Sequence, residues 1–196
     1  LVWKTDEGIA VRPYYRSENL PGELARPLRA GGWDICDGPP PADAINGIAF
    51  HEAGATAVQE LGYALAEASD RLANGGTVTS FAFAIGSNYF FEIAKLRAAR
   101  LLWARVAEAY SQPAGVRIHA VTALSNKSIY DPYTNLLRVT TESLSAVLGG
   151  ADSLTVNAAG FPERLAHNVQ LVLKEEAHLD KVADAAGVAY YIEVLT

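Results

Sequence analysis

From Asn46 onward, short continuous apolar runs alternate with longer segments whose apolar positions recur every three or four residues. The runs are Gly47–Phe50, Ser80–Ile85, Val116–Val121 and Ser153–Val156. Runs of this kind predict strands buried on both faces of a parallel sheet. The segments between and after them predict helices at about Ala53–Ala73, Asn88–Tyr110, Asp131–Leu148 and Phe161–Glu176. Successive runs lie roughly 35 residues apart, the size of a strand, a helix and two loops. The helix ends carry local signals. Asp131 precedes Pro132, an N-cap followed by proline in the first turn. Gly149-Gly150 stands where a glycine C-cap belongs, and Pro162 opens the fourth helix. The second helix carries Phe90, Ile93, Ala94, Leu101 and Leu102 at helical spacing. Its charges Lys95, Arg97, Arg100 and Arg105, with Glu92 and Glu108, read as a solvated face of paired side chains.

Residues 1–45 have another texture. Pro13, Pro21, Gly22, Pro27, Gly31, Gly32, Gly38 and then Pro39, Pro40 and Pro41 interrupt the chain too often for long elements. We expect an extended arm ending in a stiff triple-proline linker, with one short strand at Gly8–Val11. Trp3, Tyr14, Tyr15 and Trp33 would anchor the arm on another surface. The chain thus divides into an arm, 1–45, and an α/β domain, 46–196.

Strand–helix alternation with right-handed crossovers gives a parallel sheet covered by helices. It closes as an open doubly wound sheet or as a (β/α) barrel. An open sheet that binds a nucleotide usually carries a glycine-rich phosphate turn, and neither GxGxxG nor GxxxxGK[ST] occurs here. The expected fold is a (β/α)8 TIM-barrel type, of which about four β/α units are visible. Half a barrel leaves two sheet edges open, so its remainder is expected from further sequence or another subunit. The chain has no methionine and begins at Leu1, which adds to the expectation that it is part of a longer one.

Composition narrows the partners. Of 196 residues, 50% are hydrophobic and 19% charged, an ordinary globular balance. The net charge of −6 argues against a nucleic-acid partner, whose phosphates need a basic surface. Cys36 is the single cysteine, so no internal disulfide forms and a cytoplasmic, reducing setting is expected. No apolar run reaches the length of a membrane span, and no secretory signal opens the chain.

In a barrel, chemistry collects where strands end. His51 and Glu52 follow the first run, and Ser87 and Asn88 the second. Thr122, Ser125 and Asn126 follow the third, His119 lies inside it, and Asn157 follows the fourth. Asn88 equally suits a helix cap, and Ser80 a satisfied core serine. His51-Glu52 is no zinc-peptidase motif, because HExxH needs histidine where Ala55 stands. His119, His167 and His178 lack ligand spacing, so no metal site is expected. Cys36 has no histidine near it in sequence to activate it.

Longer stretches carry a family resemblance. His51-Glu-Ala-Gly-Ala-Thr-Ala-Val-Gln-Glu-Leu-Gly-Tyr-Ala-Leu-Ala and Phe83-Ala-Ile-Gly-Ser-Asn-Tyr-Phe-Phe-Glu-Ile-Ala-Lys-Leu-Arg-Ala-Ala-Arg-Leu-Leu-Trp103 resemble the barrel domain of methylmalonyl-CoA mutases. So do Tyr130-Asp-Pro-Tyr-Thr-Asn-Leu-Leu-Arg138, Gly149-Gly-Ala-Asp-Ser-Leu-Thr155 and Lys181-Val-Ala-Asp184. The opening Leu1-Val-Trp-Lys-Thr-Asp-Glu-Gly-Ile-Ala-Val-Arg-Pro-Tyr-Tyr15 is similar to the family's small subunits. The resemblance implies a barrel that threads a CoA ester along its axis. It also implies radical rearrangement of methylmalonyl-CoA to succinyl-CoA with adenosylcobalamin. Ser80 and Ser153 match positions that contact substrate, and with His119 they form the candidate substrate-binding set. His51 is the candidate catalytic histidine, though in catalytic members that residue stands two positions further ahead of the EAGA stretch. The cobalamin motif DxHxxG is absent, and Val78 stands where catalytic members place a substrate-touching arginine. The segment carrying the first barrel strands would fall between Ile35 and Ile48. These departures imply a scaffold small subunit in a heterodimer with a cobalamin-binding large subunit, and with an acyl-CoA as substrate. The alternatives are a self-sufficient mutase with segments missing here, or a non-catalytic half-barrel for assembly or CoA binding.

Overall fold

The computed structural model describes residues 2–20 and 31–196. Pro21, Gly22 and Pro27 of the expected arm lie outside the described residues. Seven strands are described: β1 Trp3–Lys4, β2 Ala10–Val11, β3 Asp34–Cys36, β4 Ile45–Asn46, β5 Ser80–Ile85, β6 Arg117–Thr122 and β7 Ser153–Thr155. The α-helices are α1 Ile48–Glu52, α2 Ala57–Ala73, α3 Tyr89–Ala109, α4 Pro132–Leu148, α5 Glu163–Leu171 and α6 Tyr190–Leu195. β1 and β2 form an antiparallel pair. The other five strands form one parallel sheet in the order β3-β7-β6-β5-β4.

That order is an arc of a (β/α) barrel. Consecutive strands β4 to β7 are neighbours, and β3, the earliest, pairs with β7, the latest. First-with-last pairing is how such a barrel closes. Cys36 and Ile45 are nevertheless close in sequence and sit at opposite edges. The fold is therefore a partial barrel flanked by helices.

The strand register separates two faces. Phe81, Phe83, Ile85, Ile118, Ala120 and Leu154 belong to the apolar core. There Phe81 meets Trp103 of α3 edge-on, with ring centroids 5.4 Å apart. The alternate positions point to the inner face, because side chains alternate along a strand. One inner row runs Asp34, Ser153, His119, Ala82, Asn46 across the five strands, and the next runs Cys36, Thr155, Val121, Ala84.

Several elements differ from the sequence expectation. The run Gly47–Phe50 is not a strand: the ladder ends at Asn46, and Ile48–Glu52 turns into α1. The Gly47 amide makes the last bond to Ala82 O, and the Asn46 side chain then caps the Ile48 amide. A Cβ at Gly47 would lie 2.8 Å from the Phe83 ring, so glycine is needed where the chain bends over β5. Helix α2 starts at Ala57, because Thr56 and Gln59 form a capping box. Helix α5 ends at Leu171 and a π-turn takes over through Glu176. The stretch expected as an arm supplies β3 to the main sheet and buries Trp33. Tyr15 packs on Tyr191, whereas Tyr14 and Trp3 are exposed.

The largest difference is in α3. Of its expected solvated charges, Arg105 and Glu108 are exposed, but Glu92, Lys95, Arg97 and Arg100 point inward, and the apolar Phe90 and Leu102 are exposed. Lys95 and Arg97 are buried, and Arg100 is nearly so. Arg97 pairs with Asp184 at 2.6 Å and Glu193 at 2.8 Å, tying the C-terminal segment to α3. Arg100 pairs with Asp152 at 2.7 Å and also donates to Gly150 O. Paired guanidinium groups of this kind tolerate burial because every charge is met.

Candidate functional site

Two of the expected site residues are in direct contact. His119 Nδ1 lies 2.8 Å from Ser153 Oγ, its neighbour on β7. His119 Nε2 lies 3.2 Å from Thr155 Oγ1. The Thr155 hydroxyl donates to Gly38 O at 2.8 Å, so its oxygen must accept from His119 Nε2–H. His119 Nδ1 is then the acceptor for the Ser153 hydroxyl. One hydrogen-bond chain runs Ser153, His119, Thr155, Gly38, and it selects the neutral Nε2–H tautomer. Burial holds the His119 pKa below its ordinary value, and the nearby Arg117 charge adds to the effect. Ser80 is buried on the same face, one pleat below Ala82. Ser80, His119 and Ser153 therefore share the inner face. Thr155 belongs with them and was missed, although its spacing of two from Ser153 was the available signal.

His51 lies apart from this group. It sits in α1 at the carboxyl rim, with its ring against Gly86, where a Cβ would stand 3.2 Å from Cε1. Its Nδ1 is 3.4 Å from Glu60 Oε2. A cavity of about 350 Å³ opens here, lined by His51, Glu52, Ser87, Asn88, Ser125 and Asn126. The strand ends thus bring together the polar residues expected after β4, β5 and β6. Asn88 occupies the N-cap position of α3 without a side-chain capping bond. Asn157 instead faces β6, bonding Thr122 through both its amide groups.

Beneath the rim lies a buried ionic cluster with no sequence signal. Lys95 Nζ is 2.8 Å from Glu60 Oε2, 2.6 Å from Glu92 Oε2 and 2.6 Å from Ala84 O. The carboxylates also receive backbone amides, Ala84 N to Glu60 and Gly86 N to Glu92. Burial pushes the Glu60 carboxyl up, but the Lys95 charge and the bonds from His51 and Lys95 outweigh it and hold it below the usual range. Burial pushes Lys95 down, and the charges of Glu92 and Glu60 reverse this and hold it above. A second pair joins the loop after β6 to α4. Lys127 Nζ contacts both Glu142 oxygens at 2.7 Å, and Asn126 Nδ2 donates to the same carboxylate.

With this geometry in place, relatives define the chain. The family model described as methylmalonyl-CoA mutase matches residues 43–196. The chain belongs to the methylmalonyl-CoA mutase family. It is 45% identical over 175 residues to a protein named methylmalonyl-CoA mutase small subunit from Porphyromonas gingivalis, covering 78% of this chain and 28% of that relative. A small subunit from Streptomyces virginiae is 42% identical over 172 residues, covering 78% and 28%. A methylmalonyl-CoA mutase from Rhizobium meliloti is 41% identical over 174 residues, covering 78% and 24%. The chain thus spans about a quarter of the length of these curated relatives.

The cobalamin-binding sequence DxHxxG does not occur. His119 does not fit a cobalt ligand, because both its ring nitrogens are bonded inside the sheet. Among the described residues, no helix is long and apolar enough to cross a membrane.

Proposed function

We propose that this chain is the scaffold subunit of an adenosylcobalamin-dependent acyl-CoA mutase that interconverts methylmalonyl-CoA and succinyl-CoA, with the cofactor held by a cobalamin-binding large subunit. The observation that carries this reading is the inner polar face of a barrel arc in a chain 45% identical to a protein named as a small subunit. Ser80, His119 and Ser153 would line the path of the thioester, and neutral His119 would present no charge to it. His51, displaced to the rim and turned toward Glu60, is assigned a supporting place in the fold rather than the chemical step. A cytoplasmic setting belongs to the same reading, supported by a single free thiol at Cys36.

The test is reconstitution. Large subunit and this chain together are expected to convert methylmalonyl-CoA, and omission of this chain is expected to abolish turnover. Equal turnover by the large subunit alone would overturn the assignment. A second reading, a half-barrel used only for assembly, is favoured by Ser153, His119 and Thr155 being bonded to one another and to Gly38. It predicts no heat on titration with methylmalonyl-CoA, with or without the partner.

A further inference from the structure

We propose that residues 37–44 form a strap that holds the inner face of the sheet shut, and that a CoA thioester reaches Ser80, His119 and Ser153 only when the strap is displaced. The proposal rests on the function proposed above for its ligand, and on geometry alone for the strap.

The geometry begins with chain length. β3 and β4 are parallel strands at opposite edges of a five-stranded sheet, and only residues 37–44 join them. Four strand spacings amount to at most roughly 20 Å, and curvature shortens the chord. The connection must also return from the carboxyl end of β3 to the amino end of β4. Fully extended, these residues reach at most roughly 30 Å. Their reach is shorter here because the Ala44 amide closes a turn on Pro41 O. A route over the outer layer would have to clear helices about 10–12 Å across, out and back. The connection can therefore cross only the inner face.

Both ends of the crossing are tied. At the carboxyl rim, Gly38 O accepts from Thr155 Oγ1, and the Asp37 carboxylate pairs with His167 Nδ1 at 2.9 Å. At the amino end, Asp43 Oδ2 accepts from Thr79 Oγ1 at 2.9 Å, and Asp43 O accepts from Arg71 at 2.6 Å. Between these ties stand Pro39, Pro40 and Pro41. They carry no backbone N–H, so they cross a face without asking it for acceptors. Their stiffness also lowers the entropic cost of staying in place. The Gly38 bond makes the strap the last member of the chain that includes Ser153 and His119. The central inner positions beneath are closed off, whereas Asp34 and Asn46 on the edge strands are exposed: Ala82 and Ala84 are wholly buried and His119 is 2% exposed, although these short or polar groups face away from the helices.

The test compares the intact chain with two variants. One carries a Gly-Ser insertion between Pro41 and Ala42 that removes the length constraint. The other is Asp43→Ala, which removes the Thr79 tie and changes no inner-face residue. Circular dichroism establishes that each is folded. Deuterium exchange at imidazole Cε1, resolved by peptide mass spectrometry, reports His119 against the exposed-loop His178 in the same sample. His119 exchange is expected to rise in both variants, more in the insertion. Calorimetric titration with succinyl-CoA is expected to show about tenfold tighter binding to the insertion variant, the factor for a face open about one-tenth of the time in the intact chain. Unchanged His119 exchange in folded variants would overturn the strap. So would measurable succinyl-CoA binding of equal affinity in the intact and insertion chains. Faster His119 exchange with no succinyl-CoA binding in any chain would leave the strap standing and remove the proposed function instead.

Discussion

Lys95 and Lys127 are both buried beneath the carboxyl rim of the sheet, yet their surroundings push them in opposite directions. Lys95 meets two carboxylates and a carbonyl, and its pKa rises against the burial that would lower it. Lys127 meets the single carboxylate of Glu142, with Arg138 nearby, and burial keeps its pKa below the ordinary value. Glu142 mirrors this: burial raises it, and the bonds from Lys127 and Asn126 only partly offset the rise. The difference teaches how many partners a buried ammonium needs. Two carboxylates outweigh desolvation and one does not. The Lys95 cluster accordingly joins three elements, α2 through Glu60, α3 through Glu92 and β5 through Ala84. The Lys127 pair joins a loop to one helix.

The largest expected effect comes from Lys95→Met. It leaves Glu60 and Glu92 facing each other without a cation and should cost about 3–5 kcal/mol in urea unfolding. A loss below about 1 kcal/mol would mean that the two carboxylates rehydrate freely, and the contrast with Lys127 would vanish. Lys127→Met should cost less, about 1.5–3 kcal/mol, because Glu142 keeps its bond from Asn126. Equal losses from the two substitutions would break the comparison.

The smallest effect is a difference in pH dependence. Glu60 is held low, so its contribution is present above the ordinary carboxyl value of 4.5 and is lost as pH falls through the depressed pKa. Glu142 is held high, so the folded chain keeps its proton more tightly than the unfolded chain does. Its contribution is present below 4.5 and is lost as pH rises through the raised pKa. Between pH 4.5 and neutrality, Glu142→Gln should therefore gain in melting temperature relative to the parent chain. A parallel melting curve for the two proteins across that range would contradict the raised Glu142 pKa.

Much of the fold was legible before any coordinates. The runs at Ser80–Ile85 and Ser153–Val156 became β5 and β7, and Asp131 caps α4 as its sequence signal indicates. Asp131 accepts from the amides of Tyr133 and Thr134, a bond set within four residues. The inner face was half legible. His119 and Ser153 were named, and only pairing of β6 with β7 puts them 2.8 Å apart. Arg105 and Glu108 of α3 are exposed as their pattern suggests, but the burial of Glu92, Lys95 and Arg97 was not legible, because periodicity distinguishes polar from apolar positions and says nothing about a partner. Lys95 is buried because Glu60, 35 residues earlier, is there to receive it. Asp34–Cys36 was hidden in a proline- and glycine-rich stretch, and three residues are too few to show a period.

Local order along the chain thus established a repeating strand–helix unit, its helix caps and a family, since each depends on neighbours within a few turns or on stretches of identity. Pairing of β3 with β7 across more than a hundred residues, the inward turn of Lys95 and Arg97, and the passage of 37–44 over the inner face arose from packing. Sheet edges and buried charges are stabilised by whatever lies opposite them in space. Nothing in the immediate sequence around Asp34 or Lys95 specifies that opposite group, so contact between distant segments had to settle it.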